Sequence, residues 1–259
     1  MTVWKEAIGA LATSCSFLTR IPLPSFLFYA GVNADRAVWA FPVVGAAIGT
    51  LLVLLLGLLS GWLGLHPLAA AVVVVGAGLL LTGALHEDGL ADVADALGGR
   101  DAVRRLEIMK DSRLGAFGVL SLVLMILLRV GVIFVLAEPL QPGLALAVLV
   151  GAGAWSRALM ALVWSMLPPA NPGGLASIRP GLRQAGFAIA IGLILLLLLF
   201  VLLPGTSFLL IAAVLAAVVA GLFALFALWQ FGGVTGDVCG AAQVLAELAF
   251  VAVALSFIS

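Results

Sequence analysis

Three aspartates at helical spacing form the densest group of potential metal ligands in this sequence of 259 residues. Asp88, Asp92 and Asp95 stand at positions i, i+4 and i+7, so on a continuous helix they project from an arc of about 60°. Carboxylates this close repel one another, and a hard divalent cation such as Mg²⁺ or Mn²⁺ would turn that repulsion into binding. The pattern therefore predicts a metal site, with a solvated acidic helix end as the alternative. Glu87 is a further candidate ligand, and His86 is either a general base or a structural histidine.

A basic segment follows the acidic one along the chain. Its five cationic side chains are Arg100, Arg104, Arg105, Lys110 and Arg113. Cations beside metal-binding carboxylates suit a metal-bridged phosphate or diphosphate. Lys110 and Arg113 flank Asp111 and precede a glycine at a helix entrance, which makes these three residues candidates for phosphate binding. The three earlier arginines are explained equally well as anchors that face lipid headgroups.

Three charged residues interrupt apolar stretches, where a charge is costly unless it faces protein or water. Arg157 and Glu247 lie at similar depths from the ends of their stretches, which predicts that they form an ion pair. Arg157 is also a candidate for holding a substrate phosphate. Arg129 lies nearer the opposite face and is expected to extend its head group towards the membrane surface. Asp237 begins the last stretch, where it is either an N-cap or an acid that reaches the aspartate site.

The composition excludes a water-soluble globule. Hydrophobic residues make up 64% of the chain and charged residues only 9%, and the mean hydropathy is +1.32, whereas soluble domains are about half apolar and a quarter charged. Basic and acidic residues balance at twelve each, so the charge gives no indication of nucleic-acid binding. Cys15 and Cys239 are expected to be packing residues, because they show no metal-ligand spacing.

Seven apolar runs are long enough to cross a hydrocarbon core of about 30 Å. We therefore predict an all-α, polytopic transmembrane bundle that forms a single domain over residues 1–259. The predicted spans are 38–59, 67–85, 114–137, 144–167, 185–203, 206–229 and 238–257. The apolar run 7–18 is too short to span and lacks a signal-peptide cleavage site, so an interfacial or re-entrant helix is expected there.

The distribution of basic residues predicts the orientation of the spans. Segments 1–37, 86–113 and 168–184 all carry Lys or Arg, whereas the alternate connections 60–66, 138–143 and 204–205 carry neither. Basic connections stay in the cytoplasm, so the N-terminus is expected inside and the C-terminus outside the inner membrane. Segment 230–237 should also be cytoplasmic but has no basic residue, which leaves the last two spans least constrained.

Four motifs, spread over nearly the whole chain, carry a resemblance to a known family. They are FLTRIP at 17–22, HEDGLAD at 86–92 with Asp95, MKDSRLG at 109–115, and GDxxGA at 236–241. In these motifs and their order the sequence resembles the cobalamin synthase, or adenosylcobinamide-GDP ribazoletransferase, family. The resemblance implies a Mg²⁺-dependent inner-membrane enzyme that joins adenosylcobinamide-GDP to α-ribazole or its 5′-phosphate and releases GMP.

The resemblance also implies roles for individual residues. One or two metal ions on the three aspartates would bind the diphosphate, and the ribose 3′-hydroxyl would attack the cobinamide-side phosphorus in line. The phosphoryl oxygens would be neutralised by Lys110, Arg113, Arg20 and Arg157. The acceptor of the hydroxyl proton stays open between an aspartate of the cluster and His86.

Two other classes of membrane protein are alternatives. CDP-alcohol phosphotransferases also build a two-metal site from aspartates, but their pattern needs alanine and arginine where this chain has Asp92 and Val93. It also needs a later Asp-x-x-x-Asp, which is missing at the required distance. A secondary transporter would use intramembrane charges such as Arg157 and Glu247, but transporters often show broken helices in two matching halves. The single acidic segment of this chain favours an enzyme.

Overall fold

The computed structural model describes residues 3–29, 32–137, 142–171 and 178–258. These residues form eleven α-helices and no β-strand apart from one isolated bridge between Pro169 and Val234. The helices are α1 Val3–Leu18, α2 Ala34–Ala37, α3 Phe41–Leu56, α4 Pro67–Thr82, α5 Leu85–Ala96, α6 Ala102–Met109, α7 Ala116–Ala137, α8 Pro142–Met166, α9 Leu182–Leu202, α10 Phe208–Phe231 and α11 Gly236–Ile258.

Six helices of the described chain are long and apolar enough to cross a membrane. They are Ala34–Trp62, Ala116–Ala137, Pro142–Met166, Leu182–Leu202, Phe208–Phe231 and Gly236–Phe257. A seventh candidate is the bent pair of α4 and α5. The all-α polytopic bundle is therefore confirmed, and each predicted span lies within a few residues of a helix in the structure.

The helix break between α4 and α5 differs from the sequence prediction, in which the second span runs to residue 85. The two helices meet at 89°, because Gly83 and Ala84 both adopt left-handed backbone angles, with φ of 66° and 53°. The N–H groups of these two residues donate to the carbonyl oxygens of Leu80 and Leu79, which ends α4. The side chain of Arg20 fills the space beside Gly83. All three aspartates consequently lie on a separate short helix.

The central helix of the bundle is α8, whose membrane-crossing window is 83% buried. Glycines allow the backbone of α3 to pack directly against the backbone of α8. A Cβ atom on Gly45 or Gly49 would collide with the carbonyl oxygens of Gly153 or Leu149 on α8. Small residues are the usual device for close helix packing in membranes, where lipid supplies little driving force. Close packing of α3 on α8 gives a rigid support for the helices that carry the polar residues.

Candidate active site between α5 and α11

Two glycines bring α5 and α11 into contact at their polar ends. A Cβ atom on Gly89 would lie 2.9 Å from the Cα atom of Asp237, and one on Gly240 would lie 3.1 Å from the Cα atom of His86. Gly89, the later residue on α5, contacts Asp237, and His86, the earlier one, contacts Gly240. The two helices therefore run antiparallel here. The glycines of the HEDGLAD and GDxxGA motifs are therefore the contact points that place Asp88 near Asp237.

A cavity of 360 Å³ opens where α5 and α11 meet α1, α6 and α8. Its polar lining comes from Asp88, Asp237, Lys110, Thr235, Asn171 and His86, and its apolar lining includes Phe17, Leu106, Met109, Met160 and Trp164. Apart from Met160 and Trp164 of α8, these residues come from connections that the charge pattern assigns to one side of the membrane. The connection 230–237, which has no basic residue, lies with them at the same end of the bundle.

Two carboxylates that line this cavity and a third close to them are candidates for holding a metal ion. Asp88 and Asp237 line the cavity, and Asp92 is half-buried within the electrostatic reach of both. Among the ion pairs of the described residues, none neutralises these three acids. The described part of the chain also has no group of three side chains already arranged as a metal site. Mg²⁺ commonly binds one or two carboxylates together with substrate phosphates and water, so this donor set fits it.

Asp95 has a structural partner that its spacing does not reveal. Its Oδ2 accepts a hydrogen bond of 2.7 Å from the N–H of Gly115, and its Oδ1 accepts one of 2.8 Å from the N–H of Gly118. These donors lie at the start of α7, where free N–H groups and the helix dipole favour a negative charge. Asp95 therefore fastens α5 to α7, which leaves Asp88, Asp92 and Asp237 as the candidate ligands.

Glu87 points away from the aspartates into a buried ion cluster. Arg129 donates to Glu87, and its other terminal nitrogen lies 2.9 Å from Oε1 of Glu247. The second oxygen of Glu247 accepts a hydrogen bond of 2.7 Å from Gln243. The prediction that Arg129 extends its head group towards the membrane surface is wrong. Its guanidinium is buried between two acids, and Glu87 is engaged in an ion pair away from the candidate metal ligands.

The predicted ion pair between Arg157 and Glu247 is also wrong. Arg157 donates to the carbonyl oxygen of Gly153 at 3.1 Å, while the carboxylate of Glu247 is occupied by Arg129 and Gln243. Arg157 lines a second, smaller cavity of 70 Å³ together with Glu87, Arg129 and Glu247. Two guanidinium groups and two carboxylates leave this deep cluster with no net charge, which lowers the cost of burying it. Arg157 does not line the larger cavity.

The candidate phosphate-binding cations lie in different places relative to the larger cavity. Lys110 is exposed and lines the larger cavity. Arg113 forms a surface ion pair, with 2.6 Å between its Nη2 and Oδ2 of Asp111. That guanidinium lowers the pKa of the Asp111 carboxyl to about 2. Arg20 is exposed beside the helix break at Gly83. Lys110 is therefore the cation that the structure places at the cavity itself.

Sequence reasoning missed the apolar residues that line the cavity. Trp164 is 4% exposed, and its ring stacks on Phe17 with 6.2 Å between the centroids. Neither Trp164 nor Met160 carries a sequence signal, because both lie in an apolar helix where such residues are expected to pack in the core. Phe17 is the first residue of the FLTRIP motif, and it forms part of the cavity wall.

The comparisons with known proteins agree over nearly the whole chain. The family model described as Cobalamin-5-phosphate synthase matches residues 10–255. A relative from Allorhizobium ampelinum named adenosylcobinamide-GDP ribazoletransferase is 43% identical over 255 residues, which cover 96% of this chain and 98% of the relative. A relative of the same name from Brucella ovis is 41% identical over 249 residues, covering 93% and 94%. No solved structure matches.

Proposed function

This chain belongs to the cobalamin-5-phosphate synthase family, and from that premise we propose that it is an adenosylcobinamide-GDP ribazoletransferase. It would join adenosylcobinamide-GDP to α-ribazole or its 5′-phosphate and release GMP, in the last assembly step of cobalamin. The observation that carries the proposal is the cavity between α5 and α11, where Asp88, Asp237 and Lys110 lie together. The alternative of a CDP-alcohol phosphotransferase is not favoured, because its aspartate pattern is missing.

The reaction exchanges one phosphorus–oxygen bond for another. A ribose hydroxyl of ribazole attacks the cobinamide-side phosphorus, the bond from that phosphorus to the GMP oxygen breaks, and GMP leaves with the bonding electron pair. The hydroxyl proton passes to a carboxylate at the cavity or to His86. These groups are suitable acceptors because they line the cavity in which the proposed reaction takes place.

We propose that Asp88, Asp92 and Asp237 hold Mg²⁺ at the polar end of the cavity. When bound, the ion supplies positive charge to the phosphoryl oxygens in the transition state. Lys110 binds the same oxygens from α6, while Arg20 and Arg113 lie on neighbouring exposed segments that a phosphate-rich substrate can reach. Asp95 and Glu87 support the site by fastening α5 to α7, and Arg157 lies in the separate, smaller cavity.

The function is tested by complementation in a bacterium that lacks its own ribazoletransferase. The strain is given cobinamide and dimethylbenzimidazole under conditions where growth requires cobalamin. We expect this chain to restore growth and cobalamin production, as the strain's native enzyme does. Growth on added cobalamin but not on its precursors, with the protein present in the membrane, would contradict the proposed function.

The chain is also proposed to lie in the inner membrane with its active site facing the cytoplasm. We expect a reporter inserted near Gly99 to be active only in the cytoplasm, and one fused after Ser259 only in the periplasm. The reason is the confinement of Lys and Arg to alternate connections. Reporters that are active on the same side at both positions would contradict this topology, because five candidate spans, α7 to α11, separate the two positions.

A further inference from the structure

The connection between α10 and α11 contributes Val234 and Thr235 to the cavity wall. In a helix that continued past α10, the N–H of Val234 would donate to the carbonyl oxygen of Gln230, four residues earlier. That N–H instead donates to the carbonyl oxygen of Pro168 at 2.8 Å, and the N–H of Ala170 donates to the carbonyl oxygen of Val234 at 3.0 Å. The connection is therefore fixed to the segment that follows α8, and the carbonyl group of Gln230 is available to a side chain.

Arg105 of α6 supplies that side chain. Its Nη1 donates to the carbonyl oxygen of Gln230 at 3.3 Å. The last carbonyl groups of a helix carry the negative end of its dipole, so they attract a guanidinium group. Among the described residues, Arg105 forms no ion pair with a carboxylate, whereas the adjacent Arg104 pairs with Glu107 on the exposed side of α6. The end of α10 is therefore the partner of Arg105.

A second contact joins α6 to the same connection. The hydroxyl of Thr235 donates to the sulfur of Met109 at 3.3 Å, and Met109 follows Arg105 by four residues, so both side chains lie on one face of α6. Leu106 and Lys110, the next residues along the chain, line the cavity. A helix of eight residues is too short to be stable alone in water. Contacts with the rest of the protein therefore determine where α6 holds Lys110.

We propose that Arg105 is a positioning residue for the active site, which docks α6 on the end of α10 and thereby holds Lys110 at the cavity. This inference rests on the proposed function, in which Lys110 binds the phosphoryl oxygens. Arg105 itself does not line the cavity, so it acts through α6 and not on the substrate. Its bond to a backbone carbonyl group also distinguishes it from an arginine that only faces lipid headgroups.

The docking is tested by the distance between α6 and α10. Spin labels are attached to Glu107→Cys and Trp229→Cys, two exposed positions, in a full chain without its two native cysteines. Double electron–electron resonance in detergent should give a narrow distribution of distances. We expect Arg105→Met to widen it about twofold, because α6 then opens locally, and Arg104→Met to leave it unchanged. Thermal unfolding should not change, because α6 lies outside the candidate membrane spans.

Turnover shows whether Arg105 acts through Lys110. Arg105→Met should lower kcat/KM for adenosylcobinamide-GDP roughly 10-fold, since it removes one hydrogen bond from a charged donor. In the Lys110→Met background, the same change should cost less than about twofold, because the group that Arg105 positions is already missing. Arg105→Lys should restore most of the activity, since an ammonium group can donate to the same carbonyl oxygen. Arg104→Met is the matched control and should retain the wild-type value.

The outcomes separate this inference from its alternatives. Losses for Arg105→Met and Lys110→Met that multiply in the double variant would show that Arg105 binds the substrate itself. Equal effects of Arg104→Met and Arg105→Met would show that both arginines act as general basic anchors. Global unfolding of Arg105→Met would show that it supports the whole bundle and not α6 alone. Each of these results would overturn the positioning role.

The distance measurement also separates this inference from the proposed function. A distribution that is as narrow in Arg105→Met as in the parent protein would overturn the docking of α6, even in an enzyme that forms cobalamin. A wider distribution in Arg105→Met, in a protein that forms no cobalamin, would support the docking and contradict the proposed reaction.

Discussion

We expect the Asp88→Asn protein to lose turnover by about three orders of magnitude while it folds normally. The substitution keeps the size of the side chain but removes a negative charge that lies on the cavity wall. Asp237→Asn, on the opposing helix, should behave in the same way. Phosphoryl transfer depends strongly on metal charge, so losing one carboxylate ligand weakens both ion binding and transition-state stabilisation.

Two measurements and one control make this prediction specific. Turnover is measured at several Mg²⁺ concentrations, and Mn²⁺ binding is followed by electron paramagnetic resonance without substrate. Glu107→Gln removes one negative charge from an exposed position on α6, where Glu107 pairs with Arg104, and should leave both measurements unchanged. Normal turnover in either aspartate variant would exclude that residue from the metal site.

Replacing Arg129 by Met should lower the free energy of unfolding by about 3–5 kcal/mol. The change leaves Glu87 and Glu247 as buried charges without a cation between them. The effect should extend to activity, because Glu87 precedes Asp88 on α5 and Glu247 lies on α11, whose first turn contains Asp237. Unfolding is followed in detergent by heating or by denaturant.

A combined variant separates the loss of the ion pairs from a simple loss of packing. Adding Glu87→Gln and Glu247→Gln to Arg129→Met removes the unpaired charges, and we expect it to recover much of the stability. Arg104→Met, which breaks an exposed ion pair on α6, should change the stability by less than about 1 kcal/mol. A combined variant as unstable as Arg129→Met alone would show that the cluster does not act through charge pairing.

The spans could be predicted from the sequence because hydropathy alone determines them. A run of about twenty apolar residues must be helical in a membrane, where each backbone group needs an internal partner. The sharp bend at Gly83 and Ala84 could not be predicted in this way, since the residues on both sides fit a helix. Ala84 is a residue that rarely adopts a positive φ, and only the surrounding packing fixes that conformation.

The sequence predicted which kinds of side chain form the candidate site, but not which side chains contact one another. The acidic and basic motifs predicted that Asp88 and Lys110 belong to one site and left Asp237 open between an N-cap and an acid of that site. The structure brings these three residues to one cavity. Helical spacing also suggested Asp95 as a ligand, although its carboxylate accepts from N–H groups 20 and 23 residues further along the chain. Helical periodicity carries no information on such distant contacts, and the same limit explains why Arg129 was not recognised as the partner of Glu247.

Reconstitution with the purified protein tests whether this chain joins ribazole to adenosylcobinamide-GDP. The protein is incubated in detergent with adenosylcobinamide-GDP, α-ribazole and Mg²⁺, and the products are separated by chromatography. Our account predicts that cobalamin and GMP form in equal amounts and that a chelator stops both. GMP release without a cobalamin product, or no reaction from a folded protein that binds both substrates, would contradict it.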